Sequence, residues 1–236
     1  MGVSVKQYNG GLAFAHTANK QSVIDGMGPS VAKFIEDFIG TPFLSADNLA
    51  GWTTTLVEGG ASETTVALTD AAGGHLLITT DAAENDGANL QVTNEAFKLA
   101  SGKPCYFGCK LKVSEATQSD ILVGLCITDT DLLGGMTDGA YFRKVDGSTA
   151  MSFVLEKDST ETTGAVHTVV ADTFVTLEFF FDGTNIDAYV DGVLQTRLAI
   201  TNLPDDEELT PSIHYLAGSV NAKTCTVDWI RAIQFN

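Results

Sequence analysis

Basic side chains are scarce in this 236-residue chain: 13 Lys and Arg stand against 30 Asp and Glu, a formal net charge of -17 at pH 7. A protein that grips nucleic acid through its phosphates needs a basic footprint, so no nucleic-acid partner is expected. Long apolar runs are missing too. No stretch approaches the roughly 20 apolar residues of a membrane-spanning helix, so no membrane partner is expected either. Residues 1–20 lack a basic start followed by an apolar run, and no Asn-x-Ser/Thr sequon occurs, so nothing points to secretion. Cysteine (4), proline (5) and tryptophan (2) are sparse. With 44% hydrophobic residues the mix is too apolar for a disordered chain, and it lacks any collagen-like or heptad bias.

What is present is unevenly placed. Residues 1–40 hold Lys6, Lys20 and Lys33 against Asp25, Glu36 and Asp37, which sum to zero, so residues 41–236 carry the whole -17. From Gly2 to Met27 the chain is small and polar, broken by Gly10-Gly11 and Asp25-Gly26, and reads as an extended arm. Gly28-Pro29-Ser30 then leads into Val31, Phe34, Ile35, Phe38 and Ile39. These fall at i, i+3, i+4, i+7 and i+8, the spacing of one apolar stripe on a short amphipathic helix, with Gly40-Thr41-Pro42 as its stop. A helix this short is marginal alone in water, so the stripe needs a surface to cover. That surface is either the open end of its own domain or a neighbouring subunit, which makes these five residues the candidate partner interface. The expected division is an anchoring segment over 1–42 and one domain over 43–236.

Beyond residue 42 the period becomes two. Cys105, Phe107, Cys109, Leu111 and Val113 share one face; Ile121, Val123, Leu125 and Ile127 form another; Val175, Leu177, Phe179 and Phe181 a third. Cys225, Val227, Trp229, Arg231, Ile233 and Phe235 alternate in the last segment. Such alternation predicts strands with one buried face. Asp-Gly pairs at 25–26, 86–87, 138–139, 146–147, 182–183 and 191–192 are hairpin signals, because both residues tolerate positive φ. The stretch 174–200 reads as a three-stranded meander. The expected fold is all-β, an antiparallel sandwich of the jelly-roll type.

The segment FVTLEFFFDGTNIDAYVDGVLQTRL (174–198) resembles the concanavalin A-like or laminin G-like jelly roll, and TCTVDWIRAIQFN (224–236) resembles its final strand. GGHLLITTD (73–81) and LQVTNEAFKLASGKPCYFGCKLKV (90–113) fit its early strands. SADNLAGWTTTLVEGGASETTVALTDAAGGHLLITTD (45–81) and TNLPDDEELTPS (201–212) are similar to structural proteins of tailed-phage virions that carry such a domain behind a short arm. That resemblance implies a non-enzymatic capsid decoration (cement) protein on the virion surface, assembled in the host cytoplasm. Its implied partners are the major capsid protein and sister subunits, with a trimer as one form of homo-oligomer. The alternative is a carbohydrate-binding module of a tail fibre or spike, in which a glycan would be the partner.

Few side chains suggest chemistry. Jelly-roll glycosidases would carry paired carboxylates on a Glu-x-Asp-x-x-Glu strand; no such string is expected in this chain, and Glu178 stands alone. His16, His75, His167 and His214 lack zinc-site spacing. There is no Gly-x-Ser-x-Gly elbow, phosphate loop or dinucleotide fingerprint. Cys105 and Cys109 share a strand face about 13 Å apart at ~3.3 Å per residue, too far to bridge, and all four cysteines sit in apolar runs that favour buried free thiols. Calcium is the most plausible ion, from Asp129, Asp131 and Asp138 or from Asp182, Asn185 and Asp187, although Leu132 and Leu133 stand where a calcium loop wants oxygen. Turns and solubility are the favoured account of these residues, and no cofactor or metal site is expected. Asp205, Asp206, Glu207 and Glu208 form the densest acidic run, a solvated loop or the contact for a basic partner. Trp52, Tyr141, Tyr189 and Tyr215 are the candidates for a sugar platform.

Overall fold

A computed structural model describes residues 2–8, 10–17, 22–58 and 63–236, which form strands and one 3-10 turn, Ile200–Asn202. The N-terminal sheet contains β1 (Val3–Tyr8), β2 (Gly11–His16) and β3 (Val23–Met27). After β4 (Val31–Glu36) comes a ribbon of β5 (Phe43–Ser45) and β6 (Asn48–Leu49). Next are β7 (Trp52–Val57), β8 (Thr65–Thr69), β9 (His75–Thr79), β10 (Gly87–Val92), β11 (Cys105–Val113) and β12 (Ser119–Cys126). They are followed by β13 (Gly139–Lys144), β14 (Ala150–Lys157), β15 (Thr160–Thr168), β16 (Val175–Phe181), β17 (Ile186–Val190) and β18 (Val193–Leu198). The chain closes with β19 (Thr210–Ala217) and β20 (Thr224–Phe235). Among the described residues no helix is long and apolar enough to cross a membrane.

Two large antiparallel sheets face each other. One runs β15-β14-β13-β12-β19-β10-β7 and the other β18-β17-β16-β11-β20-β9-β8. The alternating residues supply the layer between them: Ile121, Val123, Leu125, Phe142, Phe153 and Leu155 from the first sheet meet Phe107, Cys109, Leu111, Leu177, Phe179 and Phe181 from the second. The rings of Phe142, Phe153, Phe179 and Phe107 follow one another at centroid distances of 5.0, 5.3 and 5.4 Å, spanning the layer. The 174–200 meander forms as β16-β17-β18. Its second turn has Asp191 at φ 49° and Gly192 at φ 75°, the double positive φ that Asp-Gly supplies at low cost. The other Asp-Gly pairs divide. Those at 146–147 and 182–183 lie between strands, whereas 25–26 lies inside β3 and the glycines at 87 and 139 open β10 and β13.

In place of the expected helix over 31–39, Val31–Glu36 form strand β4 and residues 37–40 leave it as a bend. The reason lies in β20, whose 12 residues outrun their neighbour: β9 pairs only with Thr224–Val227, leaving the ladder open beside Ile230–Phe235. β4 fills that gap, from Ile230↔Glu36 to Phe235↔Val31. Unpaired backbone groups at a buried edge are costly, and a nine-residue helix offers them nothing. The five stripe residues therefore share no face. Val31 packs beneath the N-terminal sheet, Phe34 meets Trp52 edge-on at 5.5 Å, Phe38 is buried, and Ile35 and Ile39 are exposed.

A register change affects β20. A bulge opposite Lys110/Leu111 skips Asp228, so Cys225 and Val227 face the core but Trp229, Arg231, Ile233 and Phe235 turn to the other side. There Ile233 and Phe235, with Tyr106, Phe180 and Tyr189, form an apolar outer face that the N-terminal sheet covers with Ala13 and Val23. Within this cover Glu178 is buried, and its carboxylate accepts hydrogen bonds from Tyr106 Oη (2.8 Å) and Ser22 Oγ. It points away from the core as the alternation requires, but it is not solvent-exposed.

Candidate functional site

The outer face of the seven-stranded sheet carries the other concentration of polar side chains. Its registers lay out rows across the strands. One row is Thr55, Asn89, His214, Leu122, Arg143; the next is Thr53, Gln91, Ser212, Gly124, Tyr141, Val154. A third brings Gly139, Glu156 and Glu161 side by side.

Glu156 and Glu161 are direct cross-strand partners, which sets their Cβ atoms roughly 4.5–5.5 Å apart. They belong to the string Glu156-Lys157-Asp158-Ser159-Thr160-Glu161, which has the Glu-x-Asp-x-x-Glu spacing, so the expectation that no such string occurs is corrected. It does not lie on one strand. Asp158 and Ser159, at φ 50° and 60°, make a tight turn, so the string folds into the β14–β15 hairpin and its end carboxylates meet across the ladder. Like charges directly opposed are unfavourable, and the neighbours separate their roles. Tyr141 Oη donates to Glu156 Oε2 at 2.6 Å, while Arg143 forks onto Glu161 with Nη1 to Oε1 at 2.6 Å and Nη2 to Oε2 at 2.7 Å. Burial pushes the Glu156 carboxyl up, and the charges of Glu161 and Asp138 add to this against the Tyr141 hydrogen bond and the Arg143 charge. One carboxyl is thus biased toward its protonated form beside another that is clamped to a guanidinium. Gly124 and Gly139 make room for the Tyr141 side chain: a Cβ at 124 would stand 2.4 Å from the Ala140 carbonyl oxygen, and one at 139 would stand 2.9 Å from the Tyr141 ring.

The connection from β12 to β13, residues 127–138, straps the middle of this face. Leu132 and Met136 pack onto Leu122, Cys126, Tyr141 and Val154. The strap is tied to β10: Asn89 Nδ2 donates to the Thr130 carbonyl (2.6 Å), Gln91 Nε2 to the Ile127 carbonyl (2.9 Å), and the Asp129 amide to Gln91 Oε1 (2.9 Å). Asn89 Oδ1 is left facing His214 Nδ1, which must carry the proton there, and His214 Nε2 is buried without a partner among the described residues. On the far flank, Thr53, Thr55, Gln91, Thr128, Asp129 and Thr130 line an open groove of about 390 Å³.

The remaining expectations are distributed differently. The calcium candidates serve as turn caps or ion-pair partners: Asp129 and Asp131 accept strap amides, Asp182 accepts the Thr184 and Asn185 amides, and Asp187 is forked by Arg197. Among the described residues no group of three or more His, Cys, Asp or Glu is placed to hold a metal ion. The acidic run finds its bases within the chain, Lys157 at Asp205 and Asp206 and Lys98 at Glu208. The four platform aromatics are all buried, Trp52 and Tyr215 in the inter-sheet layer, Tyr141 under the strap and Tyr189 under the N-terminal sheet. All four cysteines are buried free thiols, and burial pushes Cys225 up to about 12.

No protein-family model and no curated protein matches this chain. Solved structures do. An endo-1,3-β-glucanase from Streptomyces sioyaensis superposes with a TM-score of 0.62 at 14% identity, over 89% of this chain and 98% of that one. A Bacillus licheniformis β-glucanase gives 0.60 at 13%, over 85% and 97%. The carbohydrate recognition domain of Emp46p, in metal-free form, gives 0.54 at 10%, over 78% and 88%. The chain is therefore an all-β antiparallel sandwich of the concanavalin A-like jelly-roll class, a fold compatible with carbohydrate binding. The expectation of a non-enzymatic protein is corrected. Glycoside hydrolases, among them a lichenase from a mouse hindgut metagenome, share this fold, so the fold does not support that expectation. None of them is named as a virion protein.

Proposed function

We propose that this chain acts on a saccharide at the outer face of its seven-stranded sheet, with Glu156 and Glu161 as an acid–base pair. The observation that carries the reading is their cross-strand apposition with environments that differ in kind, which is how two carboxyls divide the roles of acid and base or nucleophile. Glu156, biased toward protonation, is the acid that gives its proton to the leaving glycosidic oxygen. Glu161, clamped by Arg143, is the base or nucleophile. Tyr141 holds Glu156 in place. The β-glucans named for the structural neighbours are the first substrates to try.

The test is release of new reducing ends from a panel of β-1,3- and mixed-linkage glucans. The wild type should release them, and Glu156→Gln should lower the rate by roughly 10²–10⁴, the range for losing a positioned acid or base. Binding retained by Glu156→Gln with cleavage lost supports the pair. Absence of both binding and cleavage across the panel overturns the reading.

A second reading, a virion decoration protein anchored by its N-terminal segment, draws support from the neutral charge of residues 1–40 and the apolar face described next. Its test is whether the chain is present in purified particles; particles without it refute the role.

A further inference from the structure

We infer that the outer face of the N-terminal sheet is a self-association surface through which two copies of this chain pair. The inner face of that sheet is already used, seated on Tyr106, Phe180, Tyr189, Ile233 and Phe235. Its outer face is largely apolar, with Gln7, His16 and Asp25 on the same side by register: Val3, Val5 and Met27 are 59%, 57% and 61% exposed and Leu12 is 40% exposed, with Ile24 37% exposed on β3. The registers Val5↔Phe14 and Leu12↔Met27 bring Val5, Phe14, Leu12 and Met27 to one side of the sheet, while Ile24 lies at the register shift in β3. Strand β1 is also an edge of its sheet, and an alternating strand with apolar exposed positions is a template for another chain.

Charge selects the occupant. A basic partner would be drawn to residues 41–236, which carry -17, and not to a segment that sums to zero. A second copy offers a matching neutral, apolar sheet. A two-fold contact through it leaves the two acidic bodies on opposite sides, whereas contact through any other part brings like charges together. At the rim, Lys33 Nζ and Asp25 Oδ1 form a 2.7 Å ion pair, so the border of the patch is itself neutralised. The inference does not rest on the saccharide reading.

Sedimentation equilibrium of the full chain across micromolar concentrations tests it, beside Val5→Lys and Met27→Lys, both at well-exposed positions, and Leu194→Lys on β18 as a control. The wild type and Leu194→Lys should reach twice the 24.9 kDa chain mass. Val5→Lys and Met27→Lys should weaken the pair by about a hundredfold, as charge placed at an interface centre does. Amide exchange adds a readout that needs no variant: protection of residues 3–8 should rise with wild-type concentration. A wild type that stays monomeric, a trimer, a dimer indifferent to both lysine variants, or β1 amides indifferent to concentration would each overturn the proposal.

Discussion

His214 shows how one side chain couples this fold to pH. It is buried between Asn89 and Leu122, beneath the strap, and burial lowers its pKa to about 4 from the ordinary 6.5, partly offset by Asp131. The folded state therefore holds the neutral ring while the unfolded chain takes a proton at higher pH. Between pH 6.5 and about 4 the unfolded state binds more protons, so stability falls as pH falls. The loss is of the order of 3 kcal/mol once the pH is below both values. Denaturant melts from pH 7 to 4 should show this decline, and His214→Leu should flatten it; an unchanged slope in that variant would place the acid sensitivity elsewhere. Gly124 makes a plainer residue-scale prediction. A methyl group there meets the Ala140 carbonyl, so Gly124→Ala should cost about 1–3 kcal/mol in the same melts.

Among the elements, β4 tests the strand assignment. Phe34 packs on the inter-sheet core and Trp52, whereas Ile39 is 76% exposed. Phe34→Ala should therefore destabilise by about 2–4 kcal/mol and Ile39→Ala by less than about 0.5. Equal costs would mean that the two residues share one buried stripe. This element also marks the limit of what the sequence made legible. Strict alternation named the core faces of β11, β12 and β16 and the meander to β18, because the inter-sheet layer takes an apolar side chain from every second position of those strands. The five-residue stripe had helical spacing, and nothing local disclosed that β20 outruns β9 and leaves a ladder for β4. The bulge at Asp228 was equally silent, since it reverses parity without altering composition. At the candidate site, Glu156 and Glu161 were detectable by their spacing. Their apposition depends on the Asp158-Ser159 turn, and a pattern sought on single strands misses a pair made by a hairpin. Leu132 was a readable clue: an apolar residue that spoils a calcium loop is one that a strap buries.

At the scale of the whole molecule, charge divides the chain into a neutral, apolar N-terminal sheet and an acidic sandwich. Self-repulsion in the sandwich should respond to screening. Raising ionic strength from about 0.01 M to 0.15 M shortens the Debye length from about 30 to 8 Å and should raise the melting temperature; a flat response would mean that the surface ion pairs already neutralise the repulsion. The matching folds make saccharide chemistry a reasonable question, but the side chains decide it, because this fold is shared by proteins with different activities. The central claim is that saccharide meets the chain at the β14–β15 hairpin. Its most direct test is an NMR titration of Glu156→Gln, which preserves shape and blocks turnover, with a β-1,3-linked or mixed-linkage oligosaccharide. The account predicts shift changes concentrated at Tyr141, Arg143, residue 156 and Glu161. Changes confined to the eight-stranded sheet, or none at saturating oligosaccharide, would contradict it.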